Sequence, residues 1–390
     1  MDRHSWELLG VTTAAFFVTM VARLAPSPIV PDIIDAFGVS KSAVGIALSG
    51  MWAAYALFQF PGGVIADRIG ERRVILLAMG AVGIVGVVLA SAPTFLLFGI
   101  LVVTLGAAAG LYFPAGTGFL TARFDNTGRA LGVHEIGASA AGLVTPIVVV
   151  SAASRFDWRV GPLVPAAVAL VVLVVFAWRV PETPPAQPDR SLREQVDVSR
   201  LLALLGRPGI LVTSLLATIG FFTWQAFSSF FPTFLIEYAG LSAGRASLVF
   251  GIVFALTVGG APALGWASDV TSRDLVLGAS LLAGAAGYLL FLFVGGLVAV
   301  VVGTALLGAG LSWAGVVNSR FMDNLDADER GTGFGLVRTL VLLISSLGSG
   351  VTGTLADRAG WLAAYGLVAA LCSLVVAVLV ANRVLGIDPR

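Results

Sequence analysis

Four ionisable side chains lie inside long apolar stretches of this chain: Arg23, His134, Glu135 and Arg338. A charge at mid-membrane costs at least ~2.5–3.5 kcal/mol, so residues of this kind are functional candidates by default. Arg23 stands about fifteen residues into the first stretch, near Pro26 and Pro28, which interrupt a regular helix. Arginine is permanently charged and presents a planar fork that matches a carboxylate or a phosphate. Arg23 therefore points to an organic anion as ligand, the alternatives being a structural pair or a side chain snorkelling to the far interface. Glu135 is the carboxylate set furthest inside a stretch, so proton coupling looks to it first. His134 is of a type that titrates near neutrality unaided, but it lies on a different helix face; its other reading is a hydrogen bond to a neighbouring helix. Arg338, like Glu135, is shallower. It reads equally as a substrate or counter-ion contact or as part of a helix seam.

The elements that must position these groups follow from composition. Hydrophobic residues make up 58% of the chain and charged residues 12%, about half the charge of a soluble protein. A helix needs ~20 apolar residues to cross the hydrocarbon. Twelve stretches qualify: 8–30, 42–66, 74–92, 95–120, 131–153, 160–180, 209–235, 245–268, 275–294, 297–318, 332–354 and 361–383. The polar, proline-rich segment 181–208 divides them six and six. An N-terminal bundle over 1–180, a linker over 181–208 and a C-terminal bundle over 209–390 are expected. If both termini face the cytoplasm, sixteen basic residues fall on that side and five on the other, the asymmetry of a multi-pass protein of the cell membrane with cytoplasmic termini. The start of the chain lacks a signal-peptide pattern. The single Cys372 gives no disulfide framework, and a net charge of +1 argues against a nucleic-acid surface.

A loop recurs half a chain apart. Gly63-Val64-Ile65-Ala66-Asp67-Arg68-Ile69-Gly70-Glu71-Arg72-Arg73 closes the second stretch, and Gly265-Trp266-Ala267-Ser268-Asp269-Val270-Thr271-Ser272-Arg273 closes the eighth. Pro31 matches Pro232, and Gly132 matches Gly335, at nearly the same offset. In this register Glu135 and Arg338 are equivalent positions of opposite charge. Repeated bundles of this kind are how secondary transporters are built. Asp67, at the end of a helix, suits the unpaired N–H groups of another helix's N-terminus. Arg68, Arg72, Arg73 and Arg123 are placed to pair with it or with lipid phosphates, or to do no more than fix topology.

These residues resemble the major facilitator superfamily over nearly the whole chain, the Gly63–Arg73 loop looking like its signature between the second and third helices. Arg23, Pro31-Asp32-Ile33, Gly45, Tyr55, Gln59, Pro61-Gly62, Gly106, the run Gly110-Leu111-Tyr112-Phe113-Pro114-Ala115, and Trp158-Arg159 are similar to its anion:cation symporter branch. Ala22 and Ala109 depart from that branch, which carries there the acidic groups of its proton coupling, so its coupling chemistry does not transfer. The resemblance implies an all-α membrane protein of two pseudo-symmetric six-helix bundles, with the first, fourth, seventh and tenth helices lining the pathway. It implies a conformational clasp made by Gly63, Asp67, Arg68, Gly70, Arg72, Arg73 and Arg123, with Gly265 and Asp269 in the worn copy. Asp67 would face the eleventh helix and Asp269 the fifth.

Candidate substrate contacts are then Arg23, Tyr55, Gln59, Tyr112, Trp224, Gln225, Trp313, Asn318 and Arg338, aromatic walls with a few orienting polar groups. Glu135 and His134 are the candidates for proton coupling. No phosphate-cradling Gly-Lys-Ser/Thr run, nucleophile elbow or set of metal ligands is present, so no catalytic residue, cofactor or metal is expected. The function expected is secondary active transport of a small carboxylate-type anion by alternating access, coupled to protons, by a monomer in the bilayer. Drug efflux is the second reading. It is weakened because Gly142 and Pro146 are separated where efflux pumps of the superfamily carry a Gly-Pro pair. A membrane sensor that kept the fold is the third, and the linker over 181–208 is small for a partner-binding domain.

Overall fold

A computed structural model describes residues 3–188, 198–326, 329 and 332–386. The linker arginines Arg190 and Arg193, together with Arg330 and Arg390, lie outside them. Among the described residues the chain is helical, with no strand. The spans are α1 (Arg3–Leu24, resuming as Val30–Phe37), α2 (Lys41–Ile69), α3 (Glu71–Ala90), α4 (Phe95–Thr121), α5 (Thr127–Ala153) and α6 (Val160–Arg179). After a short helix, Val198–Leu205, come α7 (Pro208–Glu237), α8 (Ala243–Val270), α9 (Arg273–Leu289), α10 (Gly296–Asn324) and α11, which starts as Thr332–Ser345. The last helical run, Leu347–Leu385, is broken at Gly360 (φ 78°, ψ 173°), which separates the end of α11 from α12 at 361–385. Among the described residues this break brings the spans to twelve, the number of apolar stretches.

Local chemistry sets the ends. Thr94, Asn126 and Ser272 each accept a backbone N–H from the first turn of α4, α5 and α9, at 3.4, 3.1 and 3.5 Å. Large apolar side chains such as Ile84, Val171 and Val174 stay exposed. Surface of that kind is satisfied by lipid and not by water.

The chain forms two compact units, Met1–Val39 with Ala47–Gln195, and Ser40–Ile46 with Val196–Arg390. In the first, α1 packs on α5, α6 and α4, and α3 packs on α4 and α6. In the second, α7 packs on the helices from 332 onward, and α9 packs on α10 and on α12, where Gly278 lies beside Val376 and Leu379. The same packing order therefore recurs within each unit.

The second unit takes in the first turn of α2. The Asp357 carboxylate accepts the Ser42 backbone N–H at 2.6 Å and the Ser42 hydroxyl at 2.7 Å. Lys41 Nζ lies 3.0 Å from Glu237, which also accepts the indole N–H of Trp361 at 3.0 Å. Asp357 sits in the last turn of α11, just before the break at Gly360 and past the apolar stretch that ends at 354. Partial burial pushes its carboxyl up, but the Ser42 and Lys41 donors and the Lys41 charge outweigh that and hold it below the usual range.

Candidate functional site

Arg23 occupies the last turn of α1 before the helix stops. Pro26 cannot donate to the helical ladder, and the chain passes through a tight turn, Ser27–Ile29, before helix resumes. The break leaves carbonyls at the end of the first segment, where a cation is favoured. Arg23 folds back on this end. Its Nε donates to the Thr19 carbonyl at 3.1 Å and its Nη2 to the Met20 sulfur at 2.8 Å.

The guanidinium packs on two aromatic rings. Its central carbon lies 3.9 Å from the Tyr55 ring centroid and 5.4 Å from that of Trp52. Those rings stand edge to face, 6.1 Å apart at 90°. A desolvated cation–π contact contributes about 2 kcal/mol, enough to hold the fork in one plane. Tyr55 is placed by glycines across the α2–α4 crossing. A Cβ on Gly110 would come within 2.6 Å of the Tyr55 carbonyl, and one on Gly106 within 2.1 Å of the Met51 carbonyl. Only glycine permits that approach, and it sets the depth at which Tyr55 meets Arg23.

Arg23 is 4% exposed, and among the described residues no carboxylate forms an ion pair with it. Its partners are a carbonyl, a thioether and a phenol. The thioether is a weak acceptor, so the fork keeps capacity for a stronger one. Gln59, one turn further along α2, has an Nε2 that is buried without a partner. Glu135 is exposed on α5, a helix that packs on α1. It is a carboxylate from a neighbouring helix, since nothing acidic lies within a turn of Arg23 on α1 itself.

Tyr112 and His134 form a second, closed cluster. The Tyr112 hydroxyl lies 2.6 Å from the Thr12 carbonyl and 2.9 Å from His134 Nε2. A carbonyl can only accept, so Tyr112 donates to Thr12 and His134 must donate through Nε2. That leaves Nδ1 as the bare lone pair, and it is buried without a partner. Phe16 stacks on the imidazole at 4.4 Å and 7°. The arrangement suits a neutral ring, because a second proton would bury an unpaired N–H⁺.

The other candidate contacts differ in burial. Tyr112 is fully buried and ties α4 to α1. Trp313, 1% exposed, fills the space over Gly220 and meets Phe221 edge to face at 5.0 Å. Gln225 is buried in the α7 packing, whereas its neighbour Trp224 is half-buried against Phe254, since successive helical residues point about 100° apart. Asn318 and Arg338 are half-buried, with Arg338 6.0 Å from the Phe334 ring.

The signature loop is held by its own unit. Arg72 donates to the Val180 and Ala177 carbonyls at 2.7 and 2.6 Å, covering the end of α6, and is not paired with Asp67. The Arg72 N–H donates to Thr183 Oγ1 at 3.0 Å, and the Asp67 carbonyl accepts from the Gln187 N–H at 2.8 Å. Gly70 has φ 91°, and a Cβ there would meet the Thr183 carbonyl at 2.2 Å. Arg123 lies over Phe119 at 4.0 Å, also apart from Asp67. Asp67 is half-buried, while Arg68 and Arg73 are exposed. Gly62, not Gly63, makes the tight approach to α4, where a Cβ would come within 2.9 Å of the Leu111 backbone, and a Cβ on Gly265 would meet nothing within 4 Å.

In the worn copy Asp269 is exposed and pairs with Arg273 at 3.7 Å, and Arg273 also binds Asp323. Arg320, one of the sixteen basic residues that fall on the cytoplasmic side of the expected topology, is buried. It donates to Thr213 Oγ1 at 3.1 Å and pairs with Asp274. Trp52 was missed as well, although it stands one turn before Tyr55 on the same helix face.

The Major Facilitator Superfamily profile matches residues 12–273 and, in a second alignment, 213–385. The "Probable sulfoacetate transporter SauU" of Cupriavidus necator is 26% identical over 305 residues, covering 73% of this chain and 71% of its own. The hexuronate transporter of Bacillus subtilis is 24% identical over 384 residues, covering 88% and 86%. The solved structure of the nucleoside transporter NupG aligns with a TM-score of 0.81 at 15% identity, over 96% of this chain and 99% of that one, a likeness of fold alone.

Proposed function

This chain belongs to the Major Facilitator Superfamily, and on that premise we propose that it carries a small organic anion across the cell membrane, bound at Arg23 and coupled to protons through Glu135. Two relatives support this by name, one as a probable sulfoacetate transporter and one as a hexuronate transporter, both substrates being organic anions. The observation that carries the reading is the buried Arg23 fork, oriented by Tyr55 and Trp52 and lacking an ion-paired carboxylate among the described residues. An arriving carboxylate or sulfonate oxygen exchanges a thioether acceptor for a charge-assisted one. Gln59 supplies a spare N–H donor on the helix that carries Tyr55.

Glu135 gives the coupling its sign. Ionised, it repels an incoming anion and shares the field of Arg23; protonated, it does neither. Proton and anion therefore favour each other's binding, and the reciprocity of linkage makes this a symport. His134 is a positioning residue, since its one donor is committed to Tyr112. The even span count and the excess of basic residues in the segments of one face, sixteen against five, support cytoplasmic termini, and the presence of both repeats in one chain supports a monomer as the working unit.

Counterflow in proteoliposomes tests the proposal, with carboxylates, sugar acids, short sulfonates, neutral sugars and lipophilic cations as trial substrates. Exchange confined to the anions supports it. Exchange of lipophilic cations would favour drug efflux, and anion binding without any exchange would favour a sensor.

A further inference from the structure

The second unit has an apolar groove of about 500 Å³, formed where the turn after α7, the start of α8 and the α9–α10 connection come together. Its walls include Leu248, Ile252, Phe291, Leu297 and Val300, and the one polar side chain in its lining is Arg245. Arg245 is exposed, and among the described residues no carboxylate forms an ion pair with it. The helices flanking the groove are irregular. Leu290–Val294 and Ala299–Gly303 are π-helical turns, and between them Gly295 and Gly296 adopt φ 64° and 60°. Such turns are uncommon and concentrate where a helix is shaped for a ligand. Leu297 is thereby turned outward, 77% exposed.

We infer that this groove holds one phospholipid, its phosphate on the Arg245 guanidinium and an acyl chain along Leu248, Ile252 and Val300. Charge complementarity selects the occupant. A bare hydrocarbon would not explain a cation at the mouth, and a small soluble anion would not explain an apolar channel of ligand size behind it. Arg245 begins a span, so its head reaches the depth of the phosphate layer while its stem lies along the apolar wall. The groove is at the end of this unit opposite Asp269 and Asp323, and therefore engages the leaflet away from the arginine-rich face.

Native mass spectrometry of the purified full-length chain, with phosphatidylglycerol added, is the test. The wild-type chain should retain a single lipid, and should retain neither a diacylglycerol of the same acyl chains nor glycerol phosphate. Arg245→Gln should lower retention on the order of fivefold, the worth of one cation near a lipid phosphate. Ile252→Trp, which fills the groove and leaves Arg245 in place, should lower it as well. Equal retention by both variants, equal retention of diacylglycerol, or a lipid-free dimer with these residues at its interface would overturn the assignment.

Discussion

The guanidinium carbon of Arg23 lies over the ring of Tyr55, 3.9 Å from its centroid, at the end of a helix segment that two prolines cut short. The contact fixes the plane in which a permanent cation can meet an anion, and α1 contributes its charge only because α2 contributes that ring. Tyr55→Leu should weaken anion binding on the order of tenfold, and Tyr55→Phe, which keeps the ring, by much less. Met20→Leu should not weaken it, because a sulfur acceptor is what the substrate displaces. Calorimetric titration in detergent reads all three; a Tyr55→Leu chain that binds like wild type would remove the ring from the account.

Glu135 and His134 are neighbours in sequence with different expected roles. Glu135→Gln should abolish pH-driven accumulation yet preserve substrate exchange, which needs no net protonation change. His134→Gln keeps a donor toward Tyr112 and should retain both the transport rate and its pH profile. His134→Ala should cost about 1–3 kcal/mol of stability, the usual penalty for unpartnering a buried polar group. A pH profile that moves with His134→Gln while surviving Glu135→Gln would exchange the two assignments.

The signature loop separates a folding role from a conformational one. Gly70→Ala meets both a disfavoured φ and the Thr183 carbonyl, so the yield of folded protein should fall sharply. Asp67→Asn should fold normally but transport poorly, because the charge at a helix end is removed without disturbing backbone packing. Size-exclusion profiles beside uptake rates distinguish the two, and a fast-transporting Asp67→Asn would leave the loop as a topology signal alone.

Asp357 gives the second unit a pH-sensitive contact. Its carboxyl is held below the unfolded range, so the stabilisation is fully present above the ordinary carboxylate pKa and is lost as pH falls through the lower folded value. Asp357→Asn should therefore lower the melting temperature at neutral pH, and the difference from wild type should vanish in acid. A constant difference across that range would contradict the charge-based account.

Span count, the repeated loop and the charged candidates were all legible in the sequence, because lipid imposes long apolar runs and makes every interruption conspicuous. Partnerships were not. An aromatic residue on a pathway helix and one filling a helix crossing share the same spacing, so the neighbours of Tyr112 and Trp313, Thr12 with His134 and Gly220, could not be read from it. Arg72 looked like a partner for Asp67, since no local signal shows that α6 ends beneath it. Arg320 sat two residues past an expected span end and was counted with the surface arginines, although burial against Thr213 and Asp274 makes it part of the packing of the second unit. Glu135 was visible as an intramembrane acid, but that its helix packs on the one carrying Arg23 was not.

The most direct measurement is anion counterflow by three chains reconstituted in parallel: wild type, Arg23→Lys and Arg23→Ala. Lysine keeps the charge and loses the fork, so affinity should fall on the order of tenfold while some exchange survives. Alanine should abolish anion exchange in protein that still folds. If Arg23→Ala exchanges the anion at the wild-type rate, the substrate does not bind at Arg23 and the central claim is contradicted.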